Sequence, residues 1–326
     1  MRIRCRGLLL SLAASAFVTL PAVAVPIVPG FTVEHYADVT DPAELTFDPA
    51  TGNLYVGRDA SGSGGSQAEA VKIHVVGPGG APVAEYGDTA IPDPDSVLFD
   101  ATGAISGVAG SVLVAGRDGN EGALRAIHPD QTTHLLFHSG SGLVNPNGLK
   151  FDSTGRVIIA DNLGPVAAST GGNPTILFNL GGVNGTIAID ANDNIYTDGP
   201  DGVIRIHAAD GSLLNGNFYT DPNPGPGGFQ LEFGPGGPLW GDSLYAISRD
   251  SGELIRFDSL GNPTVIGTGF GGPGGPTAPD LEFGPDGALY VALFSEDEVI
   301  RIIPEPTSLA LLGIGLAAAL LRFRRR

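Results

Sequence analysis

The segment Phe283-Gly284-Pro285-Asp286-Gly287-Ala288-Leu289-Tyr290-Val291 places a turn rich in Gly and Asp between an aromatic residue and a short apolar strand. The segment Phe151-Asp152-Ser153-Thr154-Gly155-Arg156-Val157-Ile158-Ile159 has the same plan. Glycine and aspartate supply the backbone angles and local hydrogen bonds of tight turns, and β-branched residues favour strands. Each segment therefore predicts two strands joined by a tight turn.

This plan occurs six times along the chain, and the six anchors are Phe47-Asp48, Phe99-Asp100, Phe151-Asp152, Ile189-Asp190, Phe233-Gly234 and Phe283-Gly284. A second strand follows each anchor, and several repeats show a third or a fourth strand. Four short strands at a period near 40–50 residues are typical of a β-propeller blade. The sequence therefore predicts an all-β fold, a six-bladed β-propeller of four-stranded antiparallel blades.

The last repeat lacks a fourth strand, because its third strand, 298–302, leads directly into the C-terminal tail. A spare strand-like segment, 30–36, precedes the first repeat. Closing the ring removes exposed sheet edges, which favours pairing between these two segments. We therefore predict that residues 25–303 form the propeller and that an N-terminal strand completes the last blade.

The composition excludes several classes of protein. The 326 residues include 50 Gly and 26 Pro, which disfavours a helical bundle. The formal net charge of −18 argues against nucleic acid as a partner and favours cations or neutral ligands. The single cysteine, Cys5, precedes the predicted mature chain, so disulfides and thiolate catalysis are excluded there.

Residues 1–24 have the pattern of a secretory signal peptide. Three arginines precede an apolar segment, 7–20, and Ala22 and Ala24 place small residues at the −3 and −1 positions of a cleavage site. The pattern predicts export and cleavage by a signal peptidase.

The C-terminus contains Pro304-Glu305-Pro306, then the apolar run 309–321, then a cluster of arginines that ends the chain. These features resemble the PEP-CTERM sorting signal of Gram-negative bacteria. The resemblance implies a sorting tail over residues 304–326, with a short transmembrane helix and processing by an exosortase. It also implies inner-membrane anchoring before processing and a cell-surface or extracellular location afterwards, with the arginines on the cytoplasmic side.

Oxygen-bearing side chains recur at one predicted face of the ring. In an antiparallel blade, the start of the first strand and the loop after the second strand lie on the same side. The residues at these positions are Glu44, Asp95, Asn147, Asn184, Gln230 and Asp280, followed by Asp59, Asp118, Asp161, Asn162, Asp198, Asp250 and Glu296. Such oxygens suit Ca²⁺, which takes 6–8 oxygen ligands. The same residue types are also common in turns that bind nothing, so both interpretations stay open.

The two segments quoted first look like NHL-type repeats, and the wider pattern resembles the six-bladed gluconolactonase and regucalcin-like superfamily over about residues 31–303. That resemblance implies a divalent cation at the channel mouth, held by Glu, Asn and Asp. Glu44, Asn147 and Asp198 match these positions. In such enzymes the ion polarises a lactone carbonyl and activates water.

No catalytic set is evident from the residues themselves. Our leading hypothesis is therefore an exported binding or interaction module at the cell surface or in extracellular matrix, with a polysaccharide or protein ligand. The alternative is a hydrolase of lactones or esters that depends on Ca²⁺ or another divalent cation, with Glu44, Asn147 and Asp198 as metal ligands and Asp198 as the candidate catalytic residue. Trp240 either stacks on a sugar or packs under its own loop.

Overall fold

The computed structural model describes residues 26–59, 70–138, 140–182, 186–222, 228–270 and 280–305. The predicted signal peptide with Ala22 and Ala24 lies outside the described residues, as do Asn184 and the tail from Pro306 onward. In the described part of the chain, no helix is long and apolar enough to cross a membrane. The predicted transmembrane helix falls outside that part.

Within the described ranges, twenty-four strands form six four-stranded antiparallel sheets, which confirms the predicted fold. Blade 1 contains β2 (Pro42–Phe47), β3 (Leu54–Arg58), β4 (Ala70–Val76) and β5 (Val83–Pro92). Blade 2 contains β6 (Ser96–Asp100), β7 (Ser111–Asp118), β8 (Glu121–Ile127) and β9 (Thr133–Phe137). Blade 3 contains β10 (Pro146–Phe151), β11 (Val157–Asp161), β12 (Pro165–Ser169) and β13 (Thr175–Asn179).

The remaining three blades follow the same order from the inner to the outer strand. Blade 4 contains β14 (Ile187–Ile189), β15 (Ile195–Asp198), β16 (Val203–His207) and β17 (Leu213–Thr220). Blade 5 contains β18 (Phe229–Phe233), the helix α1 (Gly237–Trp240), β19 (Leu244–Ser248), β20 (Glu253–Phe257) and β21 (Pro263–Thr268). Blade 6 contains β22 (Asp280–Phe283), β23 (Leu289–Leu293), a 3₁₀ turn (Phe294–Glu296), β24 (Glu298–Pro304) and β1 (Phe31–Asp38).

The predicted ring closure is confirmed. The strand β1 pairs antiparallel with β24, from Phe31 opposite Pro304 to Asp38 opposite Glu298. One sheet therefore joins the N-terminal and C-terminal strands. Side-chain contacts add to the backbone pairing, because Arg301 on β24 forms ion pairs with Glu34 on β1 and with Asp286.

Anchor aromatics pack between the blades. At four interfaces a Tyr on the second strand of one blade contacts the anchor Phe of the next blade. The ring-centroid distances are 5.9 Å for Tyr55–Phe99, 5.0 Å for Tyr196–Phe233, 5.5 Å for Tyr245–Phe283 and 4.8 Å for Tyr290–Phe47. One blade cannot bury both of its faces alone, so this packing links neighbouring blades into a continuous core.

Trp240 at the end of α1 packs inside the protein, so its ring is not available to stack on a sugar. Its side chain is 3% exposed, and its ring centroid lies 4.7 Å from that of Phe31. Its indole Nε1 donates a hydrogen bond of 2.9 Å to the Gly287 carbonyl oxygen. Trp240 therefore joins blade 5 to the closing strand.

Candidate functional site

The described residues include a small cavity at the face of the ring where the inner strands begin, which we name the channel mouth. Its volume is about 90 Å³, and its lining residues are Ala43, Glu44, Asp59, Asp95, Asn147, Thr186, Gln230 and Arg249. These residues lie at the starts of the first strands or just after the second strands of five blades. A water molecule occupies roughly 30 Å³. The channel mouth therefore has room for a single ion with a few waters.

Two of the three residues predicted as metal ligands reach this cavity. Glu44 and Asn147 line it, whereas Asp198 is 0% exposed and is not among its lining residues. The Asp198 Oδ2 atom accepts a hydrogen bond of 3.0 Å from the Phe229 backbone N–H. The structure thus places Glu44 and Asn147 together and sets Asp198 in the contact between blades 4 and 5.

The buried carboxylates of the inner strands connect neighbouring blades. Glu44 Oε2 accepts a hydrogen bond of 3.0 Å from the Val97 N–H of blade 2, and Oε1 accepts one of 3.3 Å from the Leu149 N–H of blade 3. Asp280 Oδ2 of blade 6 accepts one of 2.8 Å from the Leu45 N–H of blade 1. Burial raises the pKa of Glu44 to about 8, against the opposing effects of Lys150 and these N–H donors. Glu44 therefore has a structural role whether or not it binds a ligand.

Three carboxylates meet beside the channel mouth. Asp59, Asp93 and Asp95 each bring one oxygen to within 4.8 Å of the others. Burial raises the pKa of Asp95 well above its usual value, and the charges of Asp93, Asp59 and Glu44 raise it further. A bound cation would remove this repulsion, because it favours the ionised form of every carboxylate around it.

Close backbone packing fixes the position of Asp93 and Asp95. The Arg58 N–H donates a hydrogen bond of 2.8 Å to the Pro94 carbonyl oxygen. A Cβ atom at Gly57 would lie 2.4 Å from the Asp95 carbonyl oxygen, and one at Gly116 would lie 1.7 Å from the Asp93 carbonyl oxygen. Only glycine at these two positions lets the connection between blades 1 and 2 approach both second strands.

Several polar atoms around the cavity have no protein partner among the described residues. They are Asp95 Oδ1, Asn147 Oδ1 and Gln230 Oε1. Gln230 is only 1% exposed, yet it lines the cavity. A buried oxygen without a donor costs about 1–3 kcal/mol, and water or a cation in the cavity removes that cost. The Arg249 Nε atom, also in the lining, has no acceptor among the described residues. The cavity therefore offers three unpartnered oxygens together with one unpartnered cationic donor.

A second layer of charge involves the inner strands of blades 3, 5 and 6. The Lys150 Nζ atom pairs with Glu282 at 2.9 Å and also with Glu232. Burial opposes the charged amine, but Glu232, Glu282, Asp280 and Glu44 together raise the pKa of Lys150 well above its usual value. Lys150 neutralises part of the buried negative charge in this layer.

The sequence did not single out Asp93 or Lys150. Asp93 lies in the Pro92-Asp93-Pro94 segment, which is typical of a simple turn. In the structure its backbone φ angle is positive, at 45°. Asp41, at the equivalent position before the first strand of blade 1, has a φ of 48°. Lys150 follows Leu149 in a strand where alternate residues face opposite sides. Its Pro-Asn-Gly-Leu-Lys-Phe context gives no sign that acids from three other blades surround it.

The comparisons with known proteins identify the tail and the fold. Residues 303–326 match the PEP-CTERM protein-sorting motif, which confirms the resemblance of the tail. No curated protein matches the chain. The motif concerns sorting and leaves the chemistry of the propeller open.

Solved structures of similar fold belong to proteins with different activities. A gluconolactonase from Xanthomonas campestris has a TM-score of 0.63 and 19% identity, covering 85% of this chain and 90% of its own. A virginiamycin B lyase from Staphylococcus aureus has a TM-score of 0.57 and 13% identity, with coverages of 84% and 99%. A carbohydrate-active enzyme of family AA12 from Trichoderma reesei has a TM-score of 0.58 and 13% identity, with coverages of 87% and 98%. At these identities the likeness shows that the chain shares their propeller fold, and the fold alone does not specify an activity.

Proposed function

We propose that this chain is an exported binding module whose channel mouth holds one divalent cation. The sorting motif at residues 303–326 supports export and processing by an exosortase. The observation that carries the cation is the meeting of Asp59, Asp93 and Asp95 beside a cavity with unpartnered amide oxygens of Asn147 and Gln230. Oxygen-only donors of this kind suit Ca²⁺.

A cation at the channel mouth would keep coordination positions open toward solvent. Hydroxyl or carboxylate oxygens of a polysaccharide or protein could fill these positions, since Ca²⁺ accepts 6–8 oxygens in flexible geometry. The Arg249 guanidinium lies in the same lining and adds a donor for such oxygens. The binding role thus follows from a cation that the protein coordinates incompletely.

Calorimetric titration of CaCl₂ into a chain of residues 26–305, which contains all 24 strands, tests the cation site. We expect one Ca²⁺ per chain and a loss of at least about tenfold in affinity for Asp95→Asn, because a neutral amide replaces one of three converging charges. Asp38→Asn is the matched control, since the Asp38 side chain is 92% exposed on the outer strand of blade 6. Equal affinity for the wild type and Asp95→Asn would refute the site.

A divalent-cation-dependent hydrolase is the second candidate. It is favoured by the presence of both Glu44 and Asn147 in the cavity lining and by the fold shared with a gluconolactonase. In this mechanism Glu44 and Asn147 would hold one ion, which would polarise a lactone or ester carbonyl. Asp198 would join them as the third ligand only after releasing the Phe229 N–H. Hydrolysis of glucono-δ-lactone in the presence of Ca²⁺ or Mn²⁺, abolished by Asn147→Ala, would support the enzyme. Equal rates of hydrolysis with and without the protein would contradict the hydrolase and favour the binding module.

A further inference from the structure

A cleft lies between blades 4 and 5, on the face of the ring opposite the channel mouth. Its volume is about 520 Å³, within the range of small-molecule sites, and its lining includes residues Tyr196, Phe218, Phe233, Asp190, Asp242 and Asp258. These residues come from the ends of the first strands and the connections that follow them, from the second strand β15, from the outer strand β17 and from the turn after β20. The cleft is therefore separate from the cavity discussed above.

Aromatic rings form the wall of this cleft. The Tyr196 ring is nearly perpendicular to the Phe218 ring, at 89° and 5.4 Å, and to the Phe233 ring, at 78° and 5.0 Å. Phe218 is 7% exposed, whereas Tyr196 and Phe233 are half-buried. The rings thus form a fixed corner that opens into the cleft.

The neighbouring interface shows what such a corner accepts. Between blades 5 and 6, Tyr245 and Phe283 form the equivalent pair, and the Trp240 ring packs against both, at 5.5 and 5.1 Å. The protein fills that corner with its own aromatic group. The Tyr196–Phe233 corner instead borders the cleft, so a ligand with apolar surface can pack there.

The polar part of the cleft is negative. Asp190, Asp242 and Asp258 line it, and none of the described residues in its lining is Lys, Arg or His. Asp258 accepts hydrogen bonds from the Asn262 side chain and backbone, which lower its pKa and keep it ionised. The Asn194 side chain donates a hydrogen bond of 2.8 Å from Nδ2 to Asp190 Oδ2. Burial and the nearby Asp190 raise the pKa of Tyr196 to about 12, which is consistent with a negative potential at the wall.

We propose that this cleft binds an organic ammonium ion, such as a quaternary ammonium headgroup. The aromatic corner and the fixed carboxylates attract a cation that also has apolar surface. An anion would be repelled by the carboxylates, and a neutral ligand would gain no electrostatic attraction from them. A hydrated metal ion would gain nothing from the rings. The site does not depend on the cation at the channel mouth, so failure of either proposal leaves the other in place.

Choline and its neutral isostere 3,3-dimethylbutan-1-ol provide a matched pair of probes, because they share shape and hydroxyl and differ in charge. Titration of residues 26–305 by NMR gives both affinities. We expect choline to bind at one site and the neutral alcohol to bind roughly 5- to 30-fold more weakly. We also expect sodium chloride to weaken choline binding. Maltotriose is the third probe, for a neutral saccharide.

Two variants test whether choline binds in this cleft. Asp242→Asn removes an exposed carboxylate from the lining, and Phe233→Leu removes an aromatic wall, with thermal melting as the check on folding. Both are expected to weaken choline binding at least threefold, whereas Asp38→Asn leaves it unchanged. The proposal is overturned if choline does not bind, if the neutral alcohol binds equally well, if maltotriose binds more tightly, or if Asp242→Asn and a folded Phe233→Leu both bind choline like the wild type.

Discussion

A chain that begins at Val39 is expected to lose the single cooperative unfolding transition of the propeller. This truncation removes β1, which pairs with β24 from Phe31 opposite Pro304 to Asp38 opposite Glu298. It also removes Phe31 and Val33 from the core between blades 5 and 6. The ring would then end in an unpaired strand with an exposed apolar face, which favours aggregation. Circular dichroism during heating, together with soluble yield, measures the effect.

The matched control is a chain that begins at Pro26, because it retains β1 whole. Phe31→Ala in that chain should have a smaller effect, a loss of about 1–3 kcal/mol, since it removes one partly buried ring and leaves the backbone pairing. A truncated chain that melts in one transition within about 4 °C of the control would show that ring closure contributes little.

Glu44→Ala is expected to lower the free energy of unfolding by about 2–6 kcal/mol, because it leaves the Val97 and Leu149 N–H groups without their acceptor and each lost partner costs roughly 1–3 kcal/mol. Both N–H groups are buried, and water that enters from the channel mouth would reduce the loss toward the lower end of this range. Urea denaturation in the presence of a chelator measures the change apart from any bound cation.

Two further variants serve as controls. One tests whether the lost hydrogen bonds or the lost charge causes the effect, and the other makes the same Glu→Ala change at a different position. Glu44→Gln retains one acceptor oxygen and should lose less stability than Glu44→Ala. Glu121→Ala, at a partly exposed position on β8, should change the free energy of unfolding by less than about 0.5 kcal/mol. If Glu44→Ala unfolds at the same urea concentration as Glu121→Ala, then Glu44 does not connect the blades.

Local patterns were sufficient to predict the blades and their closure. Turn residues and β-branched strands repeat with each blade, so the anchors from Phe47 to Phe283 could be placed from the sequence. The closing strand was predicted at 30–36 and lies at Phe31–Asp38. The two outer strands of blade 3, Pro165–Ser169 and Thr175–Asn179, were not resolved from the sequence. The first has small side chains, and the second lacks a clear alternation. Only pairing defines them, of β12 with β11 and of β13 with β12.

The candidate site was predicted in part, because strand polarity places Glu44 and Asn147 at one face. What could not be predicted is how each carboxylate is used. Glu44 accepts an N–H from a residue 105 positions away in the sequence, and Asp280 accepts one from a residue 235 positions away. No local pattern encodes such partners, since they depend on the order in which the blades close around the axis.

A crystal structure determined after soaking with CaCl₂ tests the channel-mouth site most directly. The account predicts one ion beside the cavity, with oxygens of Asp59, Asp93 and Asp95 at about 2.3–2.6 Å. An ion held by Glu44, Asn147 and Asp198 instead would favour the hydrolase. A channel mouth that contains only water at saturating Ca²⁺ would contradict the proposed cation site.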